Sequence, residues 1–272
     1  MSLLTPLAPD PDAALARFNP VAKIGAAGIV MLGLLLTLDP LTPALLLGLE
    51  LLLVPLTGVS VGTLTRRTWP LLVGAAGVAV ANLVAVDRGE TVLDLGPLAV
   101  SAGGVDAALA VSLRLLAIAL PGILVLATTD PMDLADALVQ RWHAPERFAY
   151  GALAALRLLP LLSADWDQTT RARRARGLDP GRSPVGRGRA FAAQVLAVLV
   201  SAVRRGVRLA AAMEARGFGA TDPVTGAEVR RTVARPQPLL RRDWLLLAGA
   251  VTAVAAATAV SVAAGAWRLP FA

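Results

Sequence analysis

Residues 244–267 read WLLLAGAVTAVAAATAVSVAAGAW, 24 residues without a charge, opened by Trp244 and closed by Trp267. As a helix rising 1.5 Å per residue this segment covers roughly 36 Å, enough for a hydrocarbon core of roughly 30 Å. Lipid leaves unpaired backbone groups unsatisfied, so a lone spanning segment of this kind must be helical. Tryptophans at both ends suit the two membrane–water interfaces. The stretch predicts a helical integral membrane protein.

The rest of the sequence agrees. Of 272 residues, 56% are hydrophobic and 17% charged, against roughly 25% charged in a soluble domain. The mean hydropathy is +0.65. Four further apolar runs precede the first one quoted: Val21–Leu38, Leu41 to about Val61, Thr68–Val86 and Val105–Ala127. Glu50 and Pro55 interrupt the second, which Arg66 and Arg67 close; Arg114 and a kinking Pro121 lie in the fourth. Asp39-Pro40-Leu41-Thr42-Pro43 reads as a turn, and Asp87-Arg88-Gly89-Glu90 opens a polar loop that reaches Gly104. Asp10, Asp12 and a single Arg17 in the first 20 residues give no basic n-region, so no removable signal peptide is expected.

Charge divides the chain into three parts. Residues 130–242 hold 19 Arg and 10 acidic residues, a net of +9, while the rest sums to −2. The positive-inside rule places this block in the cytoplasm, together with Arg17, Lys23, Arg66 and Arg67. The expectation is an all-α integral membrane protein with about five transmembrane helices. Residues 1–129 would carry four of them, 130–242 a cytoplasmic block, and 243–272 the last. The N-terminus would be cytoplasmic and the protein a multi-pass component of the cell membrane. Ala190–Val203, 14 uncharged residues, is too short to add a span.

Composition also excludes chemistries. There is no cysteine, and His143 is the only histidine, so no metal site is expected. Lys23, the only lysine, is followed by Ile24 rather than Ser or Thr, which excludes a P-loop. No cofactor is implied and no catalytic residue is assigned. Asp165 and Asp167, two apart on a helix, point to different faces and form no paired-carboxylate site. Glu50 and Arg114, inside spans, should face protein or water as structural polar contacts. Nucleic-acid binding is not expected, because the arginines lack interleaved aromatics. Gly25, Gly28, Gly74, Gly77 and the alanines of the last span suggest close helix packing. A membrane-bound enzyme that holds a phosphate-bearing lipid with its arginines is the alternative reading, and it lacks a nucleophile, base or metal cluster.

The basic block reads as three helices. Asp130 caps the first, with Pro131 at its first position, and it ends near Trp142. The second starts at Ala144-Pro145-Glu146, contains Pro160 and ends near Arg176, before an Asp179-Pro180-Gly181 turn. A basic linker with Gly181, Gly186 and Gly188 precedes the third, from about Ala190 to Arg216. The second and third are amphipathic; Phe148, Ala152, Leu156 and Leu159 line one stripe, and Arg204 and Arg208 share a face. Both helices finish on Ala-Arg-Gly: Ala175-Arg176-Gly177 and Ala215-Arg216-Gly217. Glycine ends each helix and clears space, while arginine projects a planar donor fork suited to carboxylates or carbonyls.

These stretches resemble a known family. Ala210-Ala211-Ala212-Met213-Glu214-Ala215-Arg216-Gly217-Phe218-Gly219 is similar to the Ala-Met-Glu-Ala-Arg-Gly-Phe stretch of the T component of energy-coupling factor (ECF) transporters, the EcfT and CbiQ-like transmembrane scaffolds. Gln168–Gly177 resembles that family's other Ala-Arg-Gly region, and Thr128-Thr129-Asp130-Pro131-Met132-Asp133-Leu134 the segment leading into its cytoplasmic block. Asn19-Pro20-Val21-Ala22-Lys23 matches in part: Pro20 and Lys23 stand, while Val21 and Ala22 replace a polar pair. The resemblance covers essentially the whole chain. It implies coupling helices whose tips dock on two ATP-binding cassette ATPase subunits, with contacts at Ala175, Arg176, Gly177, Ala215, Arg216 and Gly217. It further implies a small substrate-binding membrane subunit as partner, and uptake of a vitamin or transition-metal ion. The chain itself would be a non-enzymatic scaffold.

Overall fold

A computed structural model describes residues 14–59, 61–86, 90–94, 99–178, 183–220, 224–225, 233 and 235–267. The Asp179-Pro180-Gly181 turn and Asp87-Arg88-Gly89 lie outside these residues. The chain divides into two compact units, one of residues 5–137 with 237–272 and the other centred on residues 138–236.

The first unit is a helical bundle. It contains α1 (Pro20–Leu35), α2 (Leu41–Leu53), α3 (Val61–Ala85), α4 (Ala102–Thr128), the first half of α5 (Pro131–Trp142) and α8 (Arg241–Ala263). A 3-10 turn over Val54–Thr57 prolongs α2 until Gly58 turns the chain in the left-handed region. The polar loop before α4 adds a small antiparallel hairpin, β1 (Thr91–Asp94) with β2 (Ala99–Ser101). Ser101 closes that hairpin and caps α4, its hydroxyl accepting from the Gly104 N–H at 3.1 Å.

The packing fixes every helix direction. Asn19 bonds Asp243 at one end of the α1–α8 pair, and Asp39 bonds Ser261 beyond the other, so α1 and α8 run parallel. Lys23 bonds Thr128 while Leu34 and Ala117 share a buried cluster, so α4 runs against α1. Leu46 lies in the same cluster as Ala117, and Val54 joins Leu120 and Leu124 in the next; α2 therefore runs with α4. Ser112 on α4 donates to the Ala75 carbonyl and Ser101 to that of Val86, which makes α3 antiparallel to α4. Along the chain α1, α2, α3, α4 and α8 thus alternate in direction, as five successive crossings require.

Close approach of α1 and α8 depends on one glycine. A Cβ on Gly33 would sit 2.4 Å from Cγ1 of Val254, closer than any carbon pair tolerates. Gly25 lies near Leu247, whereas Gly28, Gly74 and Gly77 have nothing within 4 Å of a Cβ position. The expected small-residue seam is therefore narrower than the sequence suggested. Outside the core the bundle shows its apolar side chains: Leu32, Leu52, Leu126 and Leu245 are all exposed. That inside-out distribution suits lipid as the outer solvent.

The helical membrane fold stands, with shifted boundaries. Among the described residues five helices are long and apolar enough to cross a membrane: Thr68–Ala85 within α3, α4, α8, and the two long helices of the other unit. α1 and the Leu41–Thr57 segment are apolar but shorter. α1 stops at Leu35, and beyond it the Thr37 carbonyl accepts from Arg114 while the Asp39 carboxylate accepts from the Thr42 N–H and the Ser261 hydroxyl. Arg66 and Arg67 sit in the opening turns of α3 rather than closing the run before it.

The second unit holds the rest of α5, α6 (Glu146–Ala175) and α7 (Pro184–Ala215). Asp130 caps α5 through the Met132 N–H at 2.6 Å, as expected from Asp-Pro. α7 starts six residues before the expected Ala190: Ser183 accepts from Gly186 and Pro184 takes the first position, so Gly186 and Gly188, read as linker, are helical, while Gly181 lies outside the described residues. Neither α6 nor α7 contains a buried residue. Phe148 is 78% exposed, Leu196 61% and Val207 64%. Two long helices with no core of their own leave substantial apolar surface for something outside this chain to cover.

Candidate functional site: two arginine-bearing helix tips

The two Ala-Arg-Gly ends close identically. Ala175 and Ala215 are the last helical residues, Arg176 and Arg216 the caps. Gly177 has φ +70° and Gly217 φ +77°, the left-handed region that costs other residues energy. At the first tip the Gly177 N–H donates to the Arg174 carbonyl at 2.9 Å and the Leu178 N–H to that of Arg173 at 3.1 Å. At the second the Gly217 N–H donates to Glu214 at 2.9 Å and the Phe218 N–H to Met213 at 3.0 Å. Both are Schellman motifs, in which glycine's left-handed turn brings two amides back onto orphan carbonyls. All six residues of the tips are exposed. With the backbone satisfied internally, each arginine fork is left to bind something else.

Contacts between α6 and α7 place these tips at opposite ends of an antiparallel pair. Arg147, at the start of α6, donates to the Gly219 carbonyl after α7 at 3.4 Å, and Tyr150 meets Phe218 edge-on with centroids 6.2 Å apart. Midway, the Ser201 hydroxyl and Arg205 guanidinium of α7 donate to Asp165 of α6 at 2.9 and 2.8 Å. Toward the end of α6, Trp166 meets the Phe191 ring at 5.6 Å, and Gln194 bonds the Trp166 carbonyl and the Thr170 hydroxyl. Tyr150, beside the second tip, and Ala175, at the first, are therefore separated by most of α6, about 38 Å at 1.5 Å per residue.

The tips differ in surroundings. Arg173, Arg174 and Arg187 line a groove of about 450 Å³ beside the first, floored by Leu178 and Phe191. The second has Met213, Glu214, Phe218 and Tyr150 nearby. Sequence reasoning found both Ala-Arg-Gly ends and set Asp165 and Asp167 aside only as a paired-carboxylate site; it did not foresee the tie of Asp165 to Ser201 and Arg205. Ser201 and Arg205, four apart on the facing helix, were the available signal. Arg114 bonds the Thr37 carbonyl rather than Glu50, whose carboxyl oxygens are buried without a hydrogen-bond partner. His143 is exposed at the α5–α6 junction with φ +51°. Among the described residues no three His, Cys, Asp or Glu converge as a metal site.

An alternating bundle of apolar helices defines a helical, multi-pass membrane protein. Comparison with known proteins gives the family. The family model for CbiQ, described as a cobalt transport protein, matches residues 12–225. An energy-coupling factor transporter transmembrane protein EcfT from Thermanaerovibrio acidaminovorans is 30% identical over 248 residues, 87% of this chain and 88% of that one. The EcfT of Limosilactobacillus fermentum is 29% identical over 246 residues, 87% and 89% of the two chains. EcfT 1 of Listeria monocytogenes is 29% identical over 201 residues, 71% and 76%. The chain belongs to the CbiQ family and is a transmembrane component of the energy-coupling factor type, in the plasma membrane.

Proposed function

We propose that this chain is the coupling scaffold of an ECF-type importer. Its two helix tips dock on two ATP-binding cassette ATPase subunits, and α6 and α7 pass their motion to a small substrate-binding membrane subunit. The observation that carries the reading is the pair of identically capped, exposed arginine tips at opposite ends of one antiparallel helix pair. A dimeric motor that opens and closes needs two separated handles, and these two are about 38 Å apart along α6. Ala175, Arg176, Gly177, Ala215, Arg216 and Gly217 form the contacts; arginine supplies the directional bonds and its small neighbours let a groove wall approach.

In this reading residues 1–129 and 243–272 are the membrane part, and 130–242 with the N-terminus lie in the cytoplasm. The +9 charge of that block supports the sidedness. α6 and α7 are long enough to span, but crossing would carry Arg173, Arg174, Arg176, Arg187 and Arg189 to the far side against that rule. They fit better along the interface, apolar faces on lipid or on the partner subunit, with arginines reaching toward phosphate level. The transported solute is a vitamin or a transition-metal ion, recognised by the partner subunit, and the chain performs no reaction of its own.

Reversing both charges tests this. Arg176→Glu with Arg216→Glu abolishes co-purification of the ATPase subunits while the chain stays in the membrane. Undiminished co-purification of the double variant rejects the docking.

A further inference from the structure

The chain leaves the membrane unit at Ala137 and returns to it at Gln237. Both points adjoin one polar knot that neither the docking tips nor the membrane spans account for. Lys23 and Asp243 at its centre are almost fully buried, 3% and 1% exposed, and the neighbouring Asn19 is 5% exposed.

Three helix ends meet there. Asn19 caps α1, its side-chain oxygen accepting from the Val21 N–H at 2.9 Å. Asp243 caps α8, its Oδ2 accepting from the Leu240 N–H at 2.7 Å, and its Oδ1 accepts from the Asn19 N–H at 2.8 Å. A single carboxylate thus lies at the N-termini of both parallel helices, where the dipoles favour negative charge. Lys23 does the converse. Its ammonium donates to the Thr128 carbonyl at the C-terminus of α4 at 2.8 Å, and reaches the Thr129 hydroxyl at 3.4 Å. Each buried charge is satisfied by a helix end of opposite polarity.

The knot also grips both chain passages. Asp133, in the first turn of α5, accepts from the Gln237 side chain at 3.3 Å. Asn19 donates to the Gln237 and Pro238 carbonyls at 3.3 and 3.4 Å. The segment leaving the bundle is therefore bonded to the segment returning, and both to the capped start of α1.

We infer that this knot is a fixed joint for both roots of the coupling block, with Lys23 as its positioning residue. This rests on the coupling role proposed above. The covalent path from α6 and α7 to the bundle runs through residues 130–137 and 237–243. Slack there would dissipate motion passed along it; a joint of buried, paired charges does not slacken, because opening it strands a charge in the interior.

The experiment has two arms. In the first, hydrogen exchange is followed in the purified full chain. Lys23→Met should speed exchange about tenfold in residues 130–137 and 237–243 together, although they lie a hundred residues apart, while Lys23→Arg should not. Unchanged exchange, or a change confined to α1, overturns the joint. In the second, the chain is reconstituted with its co-purifying ATPases and substrate-binding subunit. Lys23→Met should leave ATP hydrolysis in place and lower solute moved per ATP several-fold. Gln237→Ala, which removes the bond to Asp133 at a half-exposed position, should fold normally and lower the same ratio less. An unaltered ratio in both variants overturns the positioning role. Should the first arm succeed and the unsubstituted chain bind no ATPase, the coupling role fails and the joint stands.

Discussion

Arg205 of α7 holds Asp165 of α6 at 2.8 Å, with Ser201 donating to the other carboxylate oxygen at 2.9 Å. This is a charged tie between two helices that also meet through the Trp166–Phe191 rings and the Gln194 amide. It fixes which stretches of the antiparallel pair face each other.

A double-mutant cycle measures that tie. Asp165→Ala and Arg205→Ala should each slow transport by a similar factor, and the double variant should be no slower than either single one, since both remove one interaction. Losses that multiply in the double variant would show that the two residues act separately.

The left-handed glycines predict a second effect. Gly177→Ala and Gly217→Ala put a Cβ into a conformation that costs roughly 1–2 kcal/mol. Each should weaken ATPase association by about tenfold, since 1.4 kcal/mol is a factor of ten. Asn tolerates that conformation better, so Gly177→Asn should lose less than Gly177→Ala. Binding titrations of the purified chain against the ATPase pair read both; equal losses for Ala and Asn would refute the conformational explanation.

Packing of α1 on α8 predicts a third. Gly33→Ala places a methyl 2.4 Å from Val254 Cγ1, an overpacking that costs roughly 1–3 kcal/mol. The melting temperature in detergent should fall, and Val254→Ala in the same chain should restore most of it. Gly28→Ala meets nothing within 4 Å and should leave the melting temperature unchanged.

Much of this architecture is legible before any coordinates. Uncharged runs mark most of α3 and α8, as a lipid surrounding favours, and Asp130-Pro131 and Pro145-Glu146 mark helix starts by local chemistry. The Ala-Arg-Gly ends are legible for the same reason: a Schellman turn needs its glycine. Local signals also misled where two of them competed. Ser183-Pro184 starts α7, but Gly186 and Gly188 among arginines read as linker. Arg66 and Arg67 read as the close of the second apolar run and lie inside α3. What the sequence hides is pairing at long range. Asn19 with Asp243 and Gly33 with Val254 are decided by how helices meet, and no spacing along the chain encodes them; for Asp165 the Ser201–Arg205 spacing marks a polar spot on α7 but not its partner.

The central claim is that both tips touch ATPase subunits. The chain has no cysteine, so Ala175→Cys and Ala215→Cys each introduce a single thiol at one tip. With a short thiol-directed photo-cross-linker, each should link to an ATP-binding subunit in native membranes. Ala193→Cys, on the exposed flank of α7, should not. Cross-links from both tips to such subunits are the predicted result. Absence of any link from either tip, in membranes where the subunits are present and assembled, would contradict the account.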